Sequence, residues 1–362
     1  MWGRNRFLDL VAVAHPIVQA PMIGPKSSLT VAVAEAGGLG SLACAALTPD
    51  GVRTEVAAIR ARTDRPLNLN FFSHVPEPPD AGRDAAWRDR LAPYYAEFGL
   101  DPAAPVAMAQ RAPFDGAMLA VVEDLRPAIV SFHFGLPAAR MLDRLRRAGC
   151  RIVSTATTVR EARWLAERGV DAIIAQGAEA GGHRGLFLKD HVLGDDPARQ
   201  VGTMALVPQV VDAVDVPVIA AGGIADARGI AAAFMLGASA VQIGTAYLKS
   251  PEAGLSTIHR DALRAARDED TAITNVLTGK PARGIVNRVI REIGPLHVGV
   301  PAFPGAAIGL QPLRVAAERQ GSGDFSPLWS GQAVALAREE EAGALTRRLA
   351  EDALALLGRG QP

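Results

Sequence analysis

Short apolar runs alternate with longer amphipathic segments through the first two-thirds of the chain. Several apolar runs, such as Ala172–Gln176 and Val216–Ala221, are continuous and do not alternate with polar positions. Continuous runs are typical of parallel strands that are buried on both faces. The pattern predicts eight strands: Ile17–Ala20, Gly40–Leu42, Leu67–Phe71, Ile129–Phe132, Arg151–Thr155, Ala172–Gln176, Val216–Ala221 and Ala240–Gly244.

The segments between these strands have the apolar spacing of amphipathic helices. Examples are Pro49–Arg62, Pro137–Ala148, Val159–Arg168 and Ala225–Leu236. Eight strand–helix units in about 250 residues match the size of a (β/α)₈ barrel. An open doubly wound sheet is the alternative, but the first strand–helix turn, Pro21–Pro25, lacks the Gly-x-Gly-x-x-Gly fingerprint of that fold. We therefore predict an α/β fold of the TIM-barrel type.

Two segments lie outside the repeat. Residues 74–114 are rich in proline and charge and follow the third strand, so we predict an insertion of short helices over the barrel mouth. The chain after about residue 250 is predicted to be mostly helical. The expected organisation is a cofactor-binding barrel over residues 1–250, and a C-terminal extension over residues 251–362 that packs on it.

Composition excludes several classes of protein. Lys plus Arg total 38 and Asp plus Glu total 38, so no basic excess indicates nucleic acid or an anionic membrane surface. No signal peptide and no uncharged apolar stretch of membrane-spanning length is evident. Cys44 and Cys150 have neither metal-ligand nor disulfide-framework spacing. We expect a cytoplasmic protein with reduced thiols.

The glycine-rich segment Ala175–Gly185 follows the sixth predicted strand and contains one histidine, His183. Glycines let a flat or charged ligand come close to the backbone. A histidine among such small residues stays accessible, and its reference pKa near neutrality allows it to accept a proton. Taken alone, the segment is equally compatible with a glycine-rich turn that carries a surface histidine.

Two further glycine-containing segments follow the last two predicted strands. The seventh strand leads into Gly222 and Gly223, and the eighth into Gln242–Thr245. Barrels of this type often bind phosphate after these two strands, where free backbone N–H groups meet a helix N-terminus. Either segment alone has a tight turn as its alternative interpretation. Their joint occurrence at both positions favours a cofactor that carries a phosphate.

Polar side chains also end other strands. Asn70 and Gln176 present hydrogen-bond donors and acceptors together, which suits a flat heterocycle such as an isoalloxazine ring, although a lone amide more commonly caps a loop. His133 is either a second polar contact in the pocket or a hydrogen-bonded structural histidine, which we favour. The sequence contains no histidine–cysteine cluster, nucleophile elbow or P-loop. We predict no metal site.

Taken in order, nine segments resemble the motifs of one enzyme family. They are Gln19–Met22, Ala36–Ser41, Asn70–Phe72, Ser131–Pro137, Ala175–Gly185, Pro217–Ile224, Val241–Thr245, Gly279–Asn287 and Asp324–Gln332. The family is that of the nitronate monooxygenases, formerly called 2-nitropropane dioxygenases, which are FMN-dependent (β/α)₈ barrels. The resemblance extends over nearly the whole chain.

The resemblance implies a site and a reaction. FMN would contact Met22, Asn70, Gln176, Gly181, Gly222 and Gly223, and its phosphate would lie against Gln242, Ile243, Gly244 and Thr245. His183 would be the catalytic base that removes the α-proton of a neutral nitroalkane. Alkyl nitronates, propionate 3-nitronate among them, have already lost that proton. With O₂ as co-substrate, the products would be a carbonyl compound and nitrite.

Departures from the family pattern leave other functions open. The loop Ile23–Ser28 differs from the family version, with Lys26 able to point towards the mouth, and the insertion at 74–114 is long. An FMN-dependent enoyl-acyl-carrier-protein reductase and an NAD(P)H:quinone reductase are alternatives on the same scaffold. A non-catalytic flavin-binding protein is an alternative of another class. The segments Arg283–Asn287 and Leu328–Gln332 favour the nitronate enzymes over these alternatives.

The oligomeric state is a separate question, for which a homodimer is the assembly to be tested.

Overall fold

Eight parallel strands form the centre of the molecule. The computed structural model describes residues 2–22, 27–78, 80–104, 106, 111–188, 196 and 199–358. The barrel strands are β1 (Ile17–Gln19), β2 (Gly40–Ala43), β3 (Leu67–Phe72), β4 (Ile129–His133), β5 (Arg151–Ala156), β6 (Ala172–Gln176), β8 (Val218–Ala221) and β9 (Ala240–Ile243), and the short β7 (Gly182–His183) lies outside this sheet. The ends of the eight predicted strands differ from the observed ones by at most two residues.

The sheet closes into a barrel. Its strands are hydrogen-bonded in the order β1-β9-β8-β6-β5-β4-β3-β2, and neighbouring strands in this order are parallel. The two edges meet where the Leu39 N–H donates to the Ile17 carbonyl (2.9 Å) and the Gln19 N–H donates to the Leu39 carbonyl (3.0 Å). With helices between the strands, this confirms the predicted (β/α)₈ fold.

Helices precede and separate the barrel strands along the chain. In the first two-thirds of the chain they are α1 (Arg6–Leu10), α2 (Ser27–Glu35), α3 (Pro49–Arg60), α4 (Ala81–Glu97), α5 (Gly116–Leu125), α6 (Ala139–Arg147), α7 (Val159–Ala166), α8 (Thr203–Val211), α9 (Ala227–Met235) and α10 (Thr245–Leu248). Local sequence explains where two of them begin, because Thr48 caps α3 and Thr158 caps α7 through their side-chain oxygens.

Burial on both faces explains the continuous apolar runs. Every residue of β3, β6 and β8 is buried. One apolar cluster joins Val18, Ile174 and Ile219, from three different strands, to Phe7 of α1. The Asn5 side-chain amide donates to the carbonyl of Ser239, which precedes β9 (2.8 Å). Thus α1 lies against the N-terminal end of the barrel and leaves the opposite end open.

The insertion after β3 packs against the C-terminal extension. Its helix α4 contacts α13 (Gly305–Arg319). The Trp87 indole N–H donates to the carbonyl of Ala306 (3.3 Å), and the Tyr95 hydroxyl donates to that of Gly309 (2.7 Å). The two segments outside the repeat therefore share one apolar cluster.

The C-terminal extension contains strands as well as helices. Its elements are α11 (Thr257–Ala265), β10 (Thr271–Thr274), β11 (Ala282–Ile285), α12 (Arg288–Ile293), α13 and α14 (Ala342–Gly358). β10 pairs antiparallel with β11, and β11 pairs antiparallel with β7, so that Ala282 lies opposite His183. The expectation of a mostly helical tail did not include this sheet, whose strands are very short and in which β11 pairs with β7, a segment far away in the sequence.

The last helix packs against the barrel wall. α14 lies against α9 and α2, and the Tyr247 hydroxyl and Thr346 hydroxyl are 2.8 Å apart.

The division of the chain into a barrel and an extension near residue 250 stays a prediction. Among the described residues, no helix combines the length and apolar character needed to span a bilayer.

Candidate active site

A cavity opens at the C-terminal ends of the barrel strands. The space between its walls, with the open mouth included, is about 1360 Å³. The wall contains these predicted site residues: Met22, Asn70, Gln176, Gly181, His183, Gly222, Gly223, Gln242, Gly244 and Thr245. The side chain of Ile243 is instead buried in the core, and its carbonyl accepts from the Ala20 N–H (2.8 Å).

Glycines shape the part of the cavity after β8. Gly222 and Gly223 have φ values of 114° and 71°, a left-handed conformation that glycine adopts without strain. A Cβ at Gly222 would lie 2.8 Å from Oγ1 of Thr203. Both the backbone conformation and the space at this turn therefore require glycine.

The C-terminal extension completes this end of the cavity. Ser330 and Gly331 line it, and the Gly331 N–H donates to the Thr245 hydroxyl (2.9 Å). A Cβ at Gly181 would lie 2.6 Å from the backbone nitrogen of Gly331. The strand-six loop and the extension thus meet backbone to backbone beside the turn after β9.

Gln242 and Asn70 both line the cavity, but their side-chain amides differ in hydrogen bonding. The side-chain oxygen of Gln242 is buried and has no hydrogen-bond donor among the described residues. A buried amide oxygen without a donor is unfavourable, so this atom fits a ligand that donates a hydrogen bond. The Asn70 amide nitrogen donates to the Ser131 hydroxyl (2.9 Å).

Gln176 and His133 hold the backbone that carries His183. The Gln176 amide nitrogen donates to the His183 carbonyl (3.0 Å), and its amide oxygen accepts from the Gly185 N–H (2.8 Å). Nε2 of His133 lies 3.1 Å from the same carbonyl. Gln176 therefore lines the cavity, but its amide is occupied by this loop.

The tautomer of His133 follows from its partners. A carbonyl only accepts hydrogen bonds, so Nε2 of His133 carries the proton that it shares with His183. Nδ1 then accepts from the Thr155 hydroxyl (3.1 Å). Burial lowers the pKa of His133 to about 4, so the ring is neutral near pH 7. His133 combines both interpretations from the sequence, since it lines the cavity and is fully hydrogen-bonded.

The ring of His183 lies among aromatic side chains. Its centroid is 5.4–6.0 Å from those of Phe72, Phe134, Phe303 and Trp329. Burial holds the pKa of His183 well below its usual value, and the positive charges of Arg111 and Lys280 act in the same direction. The imidazole is therefore neutral near pH 7 and can accept a proton.

One nitrogen of His183 is engaged outside the cavity. Nε2 lies 2.9 Å from the Thr278 hydroxyl, which itself lies within donating distance of the Lys280 carbonyl (3.4 Å). When this hydroxyl donates to that carbonyl, Nε2 of His183 donates to the hydroxyl. Nδ1, for which the described residues provide no partner, is then the proton acceptor.

A buried carboxylate anchors the chain after this loop. Glu161, at the start of α7, is fully buried. It accepts from the backbone N–H groups of Phe187 (2.7 Å) and Leu188 (3.2 Å), and from the N–H (2.7 Å) and hydroxyl (2.8 Å) of Thr157. The segment from β7 to Leu188 is thus held at both ends.

Several residues of the site were missed in the sequence. Arg111 comes from the insertion, and Thr278, Lys280, Phe303 and Trp329 come from the extension. None of these five residues ends a barrel strand, where the sequence pattern predicts the polar site residues. The motifs Gly279–Asn287 and Asp324–Gln332 contained two of them without indicating a role.

Two further predictions concern this region. Residues 23–26, with Lys26, lie outside the described residues. Within the described part of the chain, no group of three or more His, Cys, Asp or Glu side chains is arranged to hold a metal ion.

For the flavin that the sequence resemblance implies, we expect Gly181→Ala to weaken retention about tenfold. The new Cβ would lie 2.6 Å from both the nitrogen of Gly331 and the carbonyl carbon of Ser330, so the cavity wall must shift. Equilibrium dialysis of the purified protein, with flavin absorbance as the readout, measures the effect. Gly116→Ala is the control, because no atom lies within 4 Å of that Cβ position. Equal retention in both variants would contradict the prediction.

Comparison with known sequences identifies relatives over the full length. The sequence profile of the nitronate monooxygenase family matches residues 4–352. A nitronate monooxygenase from Pseudomonas aeruginosa is 41% identical over 353 residues, which cover 96% of this chain and 99% of the relative. One from Paraburkholderia phytofirmans is 41% identical over 96% of this chain and 94% of the relative.

Solved structures agree with this assignment. A nitroalkane oxidase from Streptomyces ansochromogenes superposes with a TM-score of 0.88 at 40% identity, covering 98% of this chain and all of that one. FabK from Thermotoga maritima is more distant, with a TM-score of 0.75 at 27% identity over 99% of this chain and 98% of that one. Because the family profile and these relatives span almost the entire chain, the protein belongs to the nitronate monooxygenase family of flavin-dependent oxidoreductases.

Proposed function

We propose that this protein oxidises alkyl nitronates with O₂ in an FMN-dependent reaction that releases a carbonyl compound and nitrite. Propionate 3-nitronate is included among these substrates, and neutral nitroalkanes are a second group that requires a base. The observation that carries the proposal is a cavity that glycine turns shape for a flat, phosphate-bearing ligand. The neutral His183 in its wall is the base that the neutral nitroalkanes require.

The cavity residues fit FMN. The buried Gln242 amide oxygen lacks a donor, and the turns at Gly222 and Gly244–Thr245 expose backbone to the cavity. In this proposal these turns and Gly223 would hold the phosphate, while Met22, Asn70 and Gly181 would lie along the ring. The redox chemistry would come from FMN when it is bound there, as electron acceptor for the substrate and electron donor to O₂. The protein supplies position and charge.

His183 is proposed as the base for neutral nitroalkanes. A low pKa keeps the imidazole unprotonated, so that it can take the α-proton of the substrate. Removal of that proton places negative charge on the nitro oxygens, close to the positive charges of Arg111 and Lys280. Gln176 and His133 hold the His183 carbonyl and thereby fix the position of the ring. A nitronate arrives without the proton and bypasses this step.

The test is aerobic turnover by the purified flavin-containing protein. Propionate 3-nitronate and simple alkyl nitronates are supplied in turn, and nitrite release and oxygen uptake are measured together. We expect nitrite to form with oxygen consumption for at least one of these nitronates. Absence of nitrite across the panel would overturn the proposal and support a non-catalytic flavin-binding protein.

The likeness to FabK gives a reductase as the second candidate. Anaerobic addition of NADH or NADPH distinguishes the two, because a reductase takes hydride from the nicotinamide and its flavin loses colour. We expect no rapid bleaching. Rapid bleaching together with absence of nitrite formation would favour the reductase.

A further inference from the structure

Two cationic side chains, Arg111 and Lys280, each lie beside an aromatic ring that neighbours the ring of His183. The guanidinium carbon of Arg111 is 6.0 Å from the ring centroid of Phe303, and the Lys280 ammonium is 4.9 Å from that of Phe134. These two rings are 5.4 Å and 5.9 Å from the His183 ring. The end of the cavity that contains the proposed base therefore carries positive charge.

Arg111 reaches the cavity from the insertion. The Phe114 N–H donates to the carbonyl of Phe72 at the end of β3 (2.8 Å), which fixes the returning chain beside the barrel mouth. Arg111 lies three residues earlier and lines the cavity. Its Nη1 atom is buried and has no acceptor among the described residues. A buried guanidinium nitrogen without an acceptor is unfavourable, and an anionic ligand would satisfy it.

No acidic side chain of the described cavity wall pairs with Arg111. The acidic residue in that wall is Glu179, whose carboxylate accepts from the N–H and hydroxyl of Thr203 at 2.8–2.9 Å. This places Glu179 beside Gly222 and Gly223, at the proposed phosphate end. The groups that act on His183 by charge are cations and other histidines. The charge at the His183 end of the cavity therefore favours an anionic ligand.

We infer that Arg111 binds the two oxygens of the substrate's anionic group and makes the cavity selective for nitronates over neutral nitroalkanes. The inference rests on the proposed function and assigns to Arg111 the specificity for charge. A guanidinium matches a planar, two-oxygen anion through two parallel N–H groups. Lys280 contributes further positive charge from beside Phe134. A neutral nitro group has the same shape but gains much less from this contact.

A carboxylate tests the site without turnover, because it is also planar, with two oxygens and one negative charge. Butyrate is titrated into the purified flavin-containing protein, and the flavin absorption spectrum is followed. We expect saturable binding and competitive inhibition against alkyl nitronates. Arg111→Met should raise the Kd for butyrate and the KM for alkyl nitronates at least tenfold. Arg111→Gln, which keeps a polar side chain, should do the same and serves if the Met variant loses flavin.

Arg314→Met is the matched control. Arg314 is a cation that acts on Arg111 by charge, but it pairs with Glu318 on the surface of α13 and is not part of the described cavity wall. Its substitution should leave the Kd for butyrate within about twofold. Unchanged binding in both Arg111 variants, equal losses in the control, or no binding by the wild type would each overturn the inference. If butyrate binding depends on Arg111 while no nitronate is oxidised, the anion site stands and the proposed function falls.

Discussion

Replacement of His183 by asparagine should lower kcat/KM for neutral nitroalkanes by roughly 10²–10⁴-fold, the range expected for loss of a general base. The variant should keep its flavin and oxidise preformed nitronates at a rate within about tenfold of the wild type, because those substrates have already lost the α-proton. Steady-state oxygen uptake with matched neutral and ionised forms of one nitroalkane measures both values. His297→Asn, outside the described cavity wall, is the control.

The pH profile provides a second measurement of the same role. Burial and neighbouring cations hold the pKa of His183 below 6.5, so the unprotonated form persists as the pH falls through that value. For a freshly dissolved neutral nitroalkane, kcat/KM should therefore stay level from about pH 7 to below about pH 6.5 and decrease only at lower pH. A decrease centred at or above pH 6.5, or unchanged activity of His183→Asn on the neutral substrate, would remove His183 from this role.

The barrel was predictable because its signal is local and repeated. Each strand is a short apolar run buried on both faces, and Ala172–Gln176 was predicted with its observed bounds. Once the strands were placed in parallel, their C-terminal ends had to meet at one edge. Asn70, Gln176, His183 and the glycine turns after β8 and β9 were therefore expected together, and they line one cavity.

The other half of the cavity wall was not predictable in this way. Arg111, Phe303 and Trp329 lie in segments without a repeating pattern, and they reach the site through long-range packing. The pairing of Ala282 with His183 depends on where the barrel places β7, which no local preference encodes. Gln176 shows that a residue can be placed correctly while its contact is not predicted. Its type and position suggested a contact with a ligand ring, whereas its amide hydrogen-bonds to the backbone of residues 183 and 185.

Glu161→Ala should lower the free energy of unfolding by about 3 kcal/mol, because four hydrogen bonds to a buried carboxylate are lost at once. Native domains are stable by only about 5–15 kcal/mol, so this is a large share of the total. The backbone N–H groups of Phe187 and Leu188 would lose their carboxylate acceptor, and the chain that follows Gly185 would lose its attachment to α7. Urea unfolding of the flavin-saturated protein, followed by circular dichroism, measures the change.

Glu167→Ala is the control, because it removes a carboxylate from the same region without removing buried hydrogen bonds. Glu167 follows α7 directly, and its side chain is 72% exposed. Because water solvates it in both the folded and unfolded states, its removal should change stability by no more than about 0.5 kcal/mol. A loss below about 1 kcal/mol in Glu161→Ala would mean that water replaces the carboxylate. In that case the loop that positions His183 would depend on Gln176 and His133 rather than on its attachment to α7.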